Sequence, residues 1–157
     1  MPQTSAGLLL FRRREGTLEV FLAHPGGPFW KKKDEGAWTI PKGLPSEGEE
    51  LLAAACREFR EETGIEPQGP FHELGSIQQK GGKIIHAWAW EGDADPERIV
   101  SNTVRMEQPR GSGRWLTFPE VDRCAWFDAA TARNKINAAQ AAFIDRLAAL
   151  ADSLPRH

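Results

Sequence analysis

The chain lacks any apolar run near the roughly 20 residues that a membrane-crossing helix needs, so no membrane partner is expected. It lacks a charged N-terminal region followed by an apolar core, so no secretory signal is expected and the cytoplasm is the simplest compartment. Cysteine is scarce. Cys56 and Cys124 are the only two in 157 residues, and Cys56 falls among apolar neighbours, so a buried thiol is expected rather than a disulfide. Charge imbalance is small. A net charge of −2 gives no global basic footprint, so no nucleic acid polymer is expected as a partner. Any anionic ligand must be held by local bases and metal. Tyrosine is absent, and there is no repeat and no low-complexity tract. A hydrophobic content of 40% and a charged content of 27% suit an ordinary globular protein, and the length suits one domain over 1–157.

What is present is concentrated between Gly43 and Ile65, GLPSEGEELLAAACREFREETGI. Pro45 to Gly48 makes a turn, and nothing breaks a helix from about Glu49 to Gly64. Gly64 suits a left-handed helix cap. Leu51, Leu52, Ala55, Cys56 and Phe59 share one broad apolar arc at helical spacing. Glu58, Glu61 and Glu62 stand at i, i+3 and i+4 and so share a face. Like charges at that spacing repel by a few tenths of a kcal/mol per pair, roughly. A hard divalent cation with oxygen ligands would compensate. An ordinary amphipathic helix would interleave bases with its acids, but only Arg57 and Glu61 make a favourable pair here.

The same stretch resembles the Nudix box, G-x5-E-x7-R-E-U-x-E-E-x-G-U, where U is a bulky apolar residue. Gly43, Glu49, Arg57, Glu58, Phe59, Glu61, Glu62, Gly64 and Ile65 fill it without a gap, with Phe59 in a place more often aliphatic. The resemblance implies a Nudix fold, an α/β/α sandwich with a mixed sheet between helices. It implies a hydrolase that uses Mg²⁺ or Mn²⁺ to cleave a diphosphate linkage. Carried over by position, Glu58, Glu61 and Glu62 would be metal ligands, Arg57 would orient them with Glu49 as its partner, and the Lys42 carbonyl would be a further ligand. Many members add an acid from beyond the box, and Glu107 is the candidate, with Glu73, Asp93 and Asp95 as rivals. Otherwise Glu107 is a solvated surface acid.

The segment Trp38 to Gly43, Trp-Thr-Ile-Pro-Lys-Gly, resembles the diadenosine polyphosphate hydrolases of this family, in which the lysine faces the phosphate chain. Lys42 and Trp38 are thus substrate candidates. The expected ligand is a nucleotide or dinucleoside polyphosphate, with diadenosine tetraphosphate cut asymmetrically. Members of that group commonly carry a tyrosine after the box, and this chain has none. A MutT-like nucleoside triphosphate pyrophosphohydrolase is the enzymatic alternative. A nucleotide-sensing or partner-binding module is the non-enzymatic one, although no box carboxylate is lost. The proline typical of ADP-ribose hydrolases is replaced by Gln79.

Elsewhere the patterns are simpler. Ser5 to Phe11 and Leu18 to Ala23 suggest a hairpin about a turn at 12–16. Lys31, Lys32 and Lys33 lie in a loop, and Trp38 to Ile40 is expected as a short strand. Phe71 to Gln79 and Lys83 to Trp90 flank a glycine turn. On the second of these, His86, Trp88 and Trp90 alternate with smaller residues, so one face is aromatic. That row, Trp88 in particular, could stack a base, or simply pack against a helix. Thr103 to Glu107, Arg114 to Phe118 and Ala125 to Phe127 read as extended. Asp128 is expected to cap a C-terminal helix, and Asn137 to start a second with Ala141, Ile144, Leu147, Ala148 and Leu150 inward.

Overall fold

Gly7 to Phe11, Gly-Leu-Leu-Leu-Phe, has no alternation of apolar with polar residues because its strand is buried on both faces. In a computed structural model that describes residues 3–155, this run lies in β1 (Thr4–Arg14), at the middle of a six-stranded sheet. β1 pairs in parallel with β5 (Ile84–Glu91) on one edge. Its other edge is divided. Leu10 to Arg14 pairs antiparallel with β2 (Thr17–Pro25), whereas Ala6 and Gly7 pair with the two-residue β3 (Lys42–Gly43). β4 (His72–Gln78) extends the sheet beyond β5, and β8 (Val121–Asp128) extends it beyond β2. β6 (Thr103–Glu107) and β7 (Trp115–Pro119) form a separate hairpin.

Each face of the sheet holds a core. Ala6, Leu8, Leu10, Phe21 and Trp90 pack under α1 (Leu51–Thr63), which contributes Ala54, Ala55 and Phe59. Leu9, Phe11, Val20, Leu22 and Ile85 pack against α2 (Ala129–Lys135) and α3 (Ala141–Ala151), through Ala132, Phe143, Ile144 and Leu147. Full burial of one such side chain contributes about 1.5–3 kcal/mol. The result is a mixed sheet between helices, the layering that the box implied.

Several local expectations match the structure. Gly64 ends α1 at φ 76°, and its N–H donates to the Arg60 carbonyl. The Asp128 carboxylate caps α2 by accepting from the Thr131 N–H, and Asn137 caps a short 3₁₀ turn leading into α3. Other expectations shift. The first hairpin is longer than its apolar residues suggest, because Arg12 pairs across the strands with Glu19 and Arg13 reaches Glu91. Only Glu15 and Gly16 turn, at φ 52° and 78°, as a two-residue primed turn requires. Trp38 to Ile40 is not a regular strand. Thr39 makes an isolated bridge to Ala23, and Trp38 one to Ile136. Both cysteines are free; Cys124 is buried and Cys56 half-buried.

Candidate active site

The divided edge of β1 shapes the site. Where β1 leaves β2, the chain from Ile40 to Gly43 comes alongside, and a Cβ on Gly7 would lie 2.7 Å from Ile40 Cδ1 and 2.9 Å from the Pro41 carbonyl. That approach carries Gly43 beneath α1. A Cβ on Gly43 would lie 2.1 Å from the carboxyl carbon of Glu58 and 2.3 and 2.4 Å from its oxygens. The carboxylate of Glu58 fills the space that any larger residue would take.

Arg57 ties this loop to the helix. Its Nε and Nη2 donate to both oxygens of Glu49, at 3.0 Å each. Its Nη1 donates to Glu58 at 3.0 Å and Glu61 at 3.2 Å, and Nη2 also reaches the Leu44 carbonyl at 3.0 Å. One planar guanidinium thus fixes three carboxylates and a loop, which a lysine could not do. The Arg57 pKa rises, first through its bond to Glu49, and the Glu49 carboxyl falls through that bond and the Ser46 N–H.

Glu58, Glu62 and Glu120 converge, with one oxygen of each within 4.8 Å of the others. Glu62 is 3% exposed, and its Oε2 has no hydrogen-bond partner among the described residues. Burial, then the charge of Glu120 and the contact with Glu58, push its carboxyl up to about 10, while Lys42 pulls part of the way back. Burial also raises Glu120, against an opposing hydrogen bond from Asn102. A buried carboxylate with one orphaned oxygen, close to two more carboxylates, suits a cation that takes hard oxygen ligands, and these three residues could hold one. The Cys124 thiol, pushed up to about 12 by burial and by Glu62, stays protonated.

Glu120 was not foreseen. It stands at the junction of β7 and β8, 55 residues past the end of the box, and is brought in by backbone contacts. Its N–H donates to the Asn102 carbonyl at 2.9 Å, its carbonyl accepts from Gly26 N–H at 2.9 Å, and Asn102 N–H donates to the Glu61 carbonyl at 2.7 Å. A Cβ on Gly26 would lie 1.9 Å from the Pro119 carbonyl, so only glycine lets this junction seat. The one local signal is an acid between Pro119 and a core-facing valine, too weak to separate it from other loop acids.

Glu107 is a correction. It lies on β6 as expected, but its carboxylate accepts from Gly111 N–H at 2.7 Å and Gly113 N–H at 2.9 Å, closing the hairpin turn away from the cluster. Trp38 is another. It is 3% exposed, its indole donates to Asp34, and it packs edge-on against His24 and Phe127. It is core and cannot touch a substrate. Trp88 is half-buried against the α1 side of the sheet and lies 4.6 Å from the His86 ring. His86 is held between Ser76 and Glu73. Lys42, on β3, lies close enough to Glu62 and Glu120 to shift both. Glu61 is turned outward to Arg57, outside the convergent trio.

The Gly43 contact leads to a test. Gly43→Ala should leave the metal-free Tm within a few degrees, because only the end of a flexible side chain must move. The displaced Glu58 should leave the cluster, so the rise in Tm produced by Mg²⁺ or Mn²⁺ should be largely lost. Thermal melts with and without metal check this.

The NUDIX domain family matches residues 1–147. The asymmetrical bis(5'-nucleosyl)-tetraphosphatase of Rattus norvegicus is 31% identical over 141 residues, spanning 82% of this chain and 88% of its own length. The RNA pyrophosphohydrolase of Bartonella quintana (strain Toulouse) is 35% identical over 81 residues, spanning 52% of this chain and 39% of its own. The crystal structure of a C. elegans Ap4A hydrolase binary complex aligns over 97% of this chain and 99% of that one, with a TM-score of 0.70 at 21% identity, a likeness of fold.

Proposed function

The chain belongs to the Nudix family, and from that premise we propose that it hydrolyses dinucleoside polyphosphates, cutting diadenosine tetraphosphate asymmetrically with a divalent cation. The observation that carries the reading is the convergence of Glu58, Glu62 and Glu120, with the Glu62 Oε2 buried and unpartnered among the described residues. The length of the match to the rat tetraphosphatase supports the substrate class.

Glu58, Glu62 and Glu120 would hold the cation. When bound there, Mg²⁺ or Mn²⁺ neutralises phosphate charge and lowers the pKa of a water. The chain's own groups do the rest. Arg57 holds Glu58 and Glu61 in place through Glu49. Asn102 steadies Glu120 as a further ligand or as a base. Lys42 brings a positive charge to the phosphate side, where charge develops in the transition state. Among the described residues no helix is long and apolar enough to cross a membrane, and two free thiols suit a cytoplasmic protein.

The test is a substrate panel with products resolved by chromatography. Diadenosine tetraphosphate should give ATP and AMP with added Mg²⁺, and nothing with excess chelator. If dinucleotides stay intact while a nucleoside triphosphate yields monophosphate and pyrophosphate, the MutT-like alternative is right. Full turnover in chelator would sink the metal requirement.

A further inference from the structure

The charge of this chain is distributed unevenly. Residues 26–33 and 103–119 hold six of its 20 bases but only one of its 22 acids, and that acid, Glu107, is engaged by two backbone N–H groups. These two segments face each other. Gly27 lies against Phe118, where a Cβ would come 2.7 Å from the ring. Between them runs an open groove of about 370 Å³, lined by Pro28, Lys31, Leu116, Phe118 and Asp122. Phe29, the residue after Pro28, is 64% exposed, with the Lys33 ammonium 3.6 Å from its ring centre. Leu116 is exposed in the wall, as are Trp115 and Met106 of the same hairpin.

The groove reaches the chain segment that carries Glu120, since Pro119 lines it. Phe118 and Leu116 precede Glu120 by two and four residues, or about 7 and 13 Å along a strand at about 3.3 Å per residue. Gly43 meets the cluster at Glu58, Lys42 lies near Glu62 and Glu120, and the chain leaving the hairpin enters it at Glu120. A dinucleoside polyphosphate cut at the cluster has a nucleoside to seat at each end of its phosphate chain. Resting on the substrate class proposed above, we propose that this groove seats the second nucleoside of that substrate. Its base would lie on Phe118, Leu116 and Pro28, and its phosphates beside Lys31. Asp122, the acid in the wall, accepts from His24 at 3.0 Å and keeps oxygen lone pairs for an exocyclic amine, as adenine carries.

Calorimetry in excess chelator tests this without turnover, using diadenosine tetraphosphate and adenosine 5'-tetraphosphate, which lacks the second nucleoside. Wild type should bind the dinucleotide more tightly. Leu116→Ser should weaken dinucleotide binding about tenfold and leave adenosine tetraphosphate within about twofold, since losing the apolar contact of a leucine side chain is commonly worth that much. Leu116 is exposed, so the variant should melt with wild type. Equal affinity of wild type for the two ligands, or equal weakening of both in the variant, overturns the inference. So does a wild-type dimer in sedimentation that Leu116→Ser dissociates, because a second copy would then fill the groove. If diadenosine tetraphosphate is hydrolysed yet the variant binds it as wild type does, the groove assignment fails alone. If no dinucleotide is bound or cleaved, the substrate reading fails and the groove assignment with it.

Discussion

Glu62→Gln should lower turnover by roughly 10³-fold while making the metal-free protein more stable at neutral and alkaline pH. A cation at a phosphoryl centre supplies several kcal/mol of charge stabilisation, and each 1.36 kcal/mol is about tenfold in rate. Glu62 is the most deeply buried of the three converging acids, and its Oε2 has no hydrogen-bond partner among the described residues. The stability effect has the opposite sign. The folded-state pKa, about 10, lies above the ordinary 4.5, so the folded chain favours the protonated form. That contribution is fully present below about pH 4.5 and is lost as pH climbs toward 10, because the unfolded chain then gains more by releasing the proton. Glutamine cannot ionise. In chelator, the variant should melt with wild type near pH 4 and about 5 °C or more above it at pH 8. Melting curves from pH 4 to 9 and single-turnover assays check both halves. A variant that turns over as wild type does would remove Glu62 from the site.

Glu120→Gln should cost at least about 100-fold in turnover, whereas Glu107→Gln should change it by less than about twofold. A ligand or base in the cluster commonly contributes 10²–10⁴-fold. Glu107 instead accepts two N–H groups in the hairpin turn, so its loss should cost about 1 kcal/mol of local stability. Initial rates for the two variants, at saturating Mg²⁺, separate the assignments. The reverse ranking would return the outside acid to Glu107.

These two glutamates also mark how far the sequence can be read. Glu58 and Glu62 are brought together by helical periodicity, which a sequence displays directly. The Gly64 cap and the Asp128 cap are equally local, and their positions were legible for the same reason. Glu120 reaches the cluster only through the Asn102 and Gly26 backbone contacts and the pairing of β8 with β2, none of which leaves a short-range pattern. Trp38 sits near Lys42 in sequence, but β3 begins only at Lys42, and the tryptophan four residues earlier turns into the core beside α2. The apolar groove beside the hairpin was illegible for a different reason. Its walls come from segments some ninety residues apart, one of which alone reads as a lysine-bearing loop and the other as a short extended stretch.

The span between Glu62 and Glu120 also has a consequence for the order in which the molecule assembles. The box helix is built from contacts close in sequence and can form early, but a cluster that needs β8 docked on β2 depends on one of the longest loop closures in the chain, from the first hairpin across about a hundred residues. Pairings of such high sequence separation form late and slowly. The protein should therefore pass through a stage with its central hairpin and box helix in place and no competent site. Such a stage would bind metal weakly and hydrolyse nothing, so the appearance of tight metal binding should report the last step of folding.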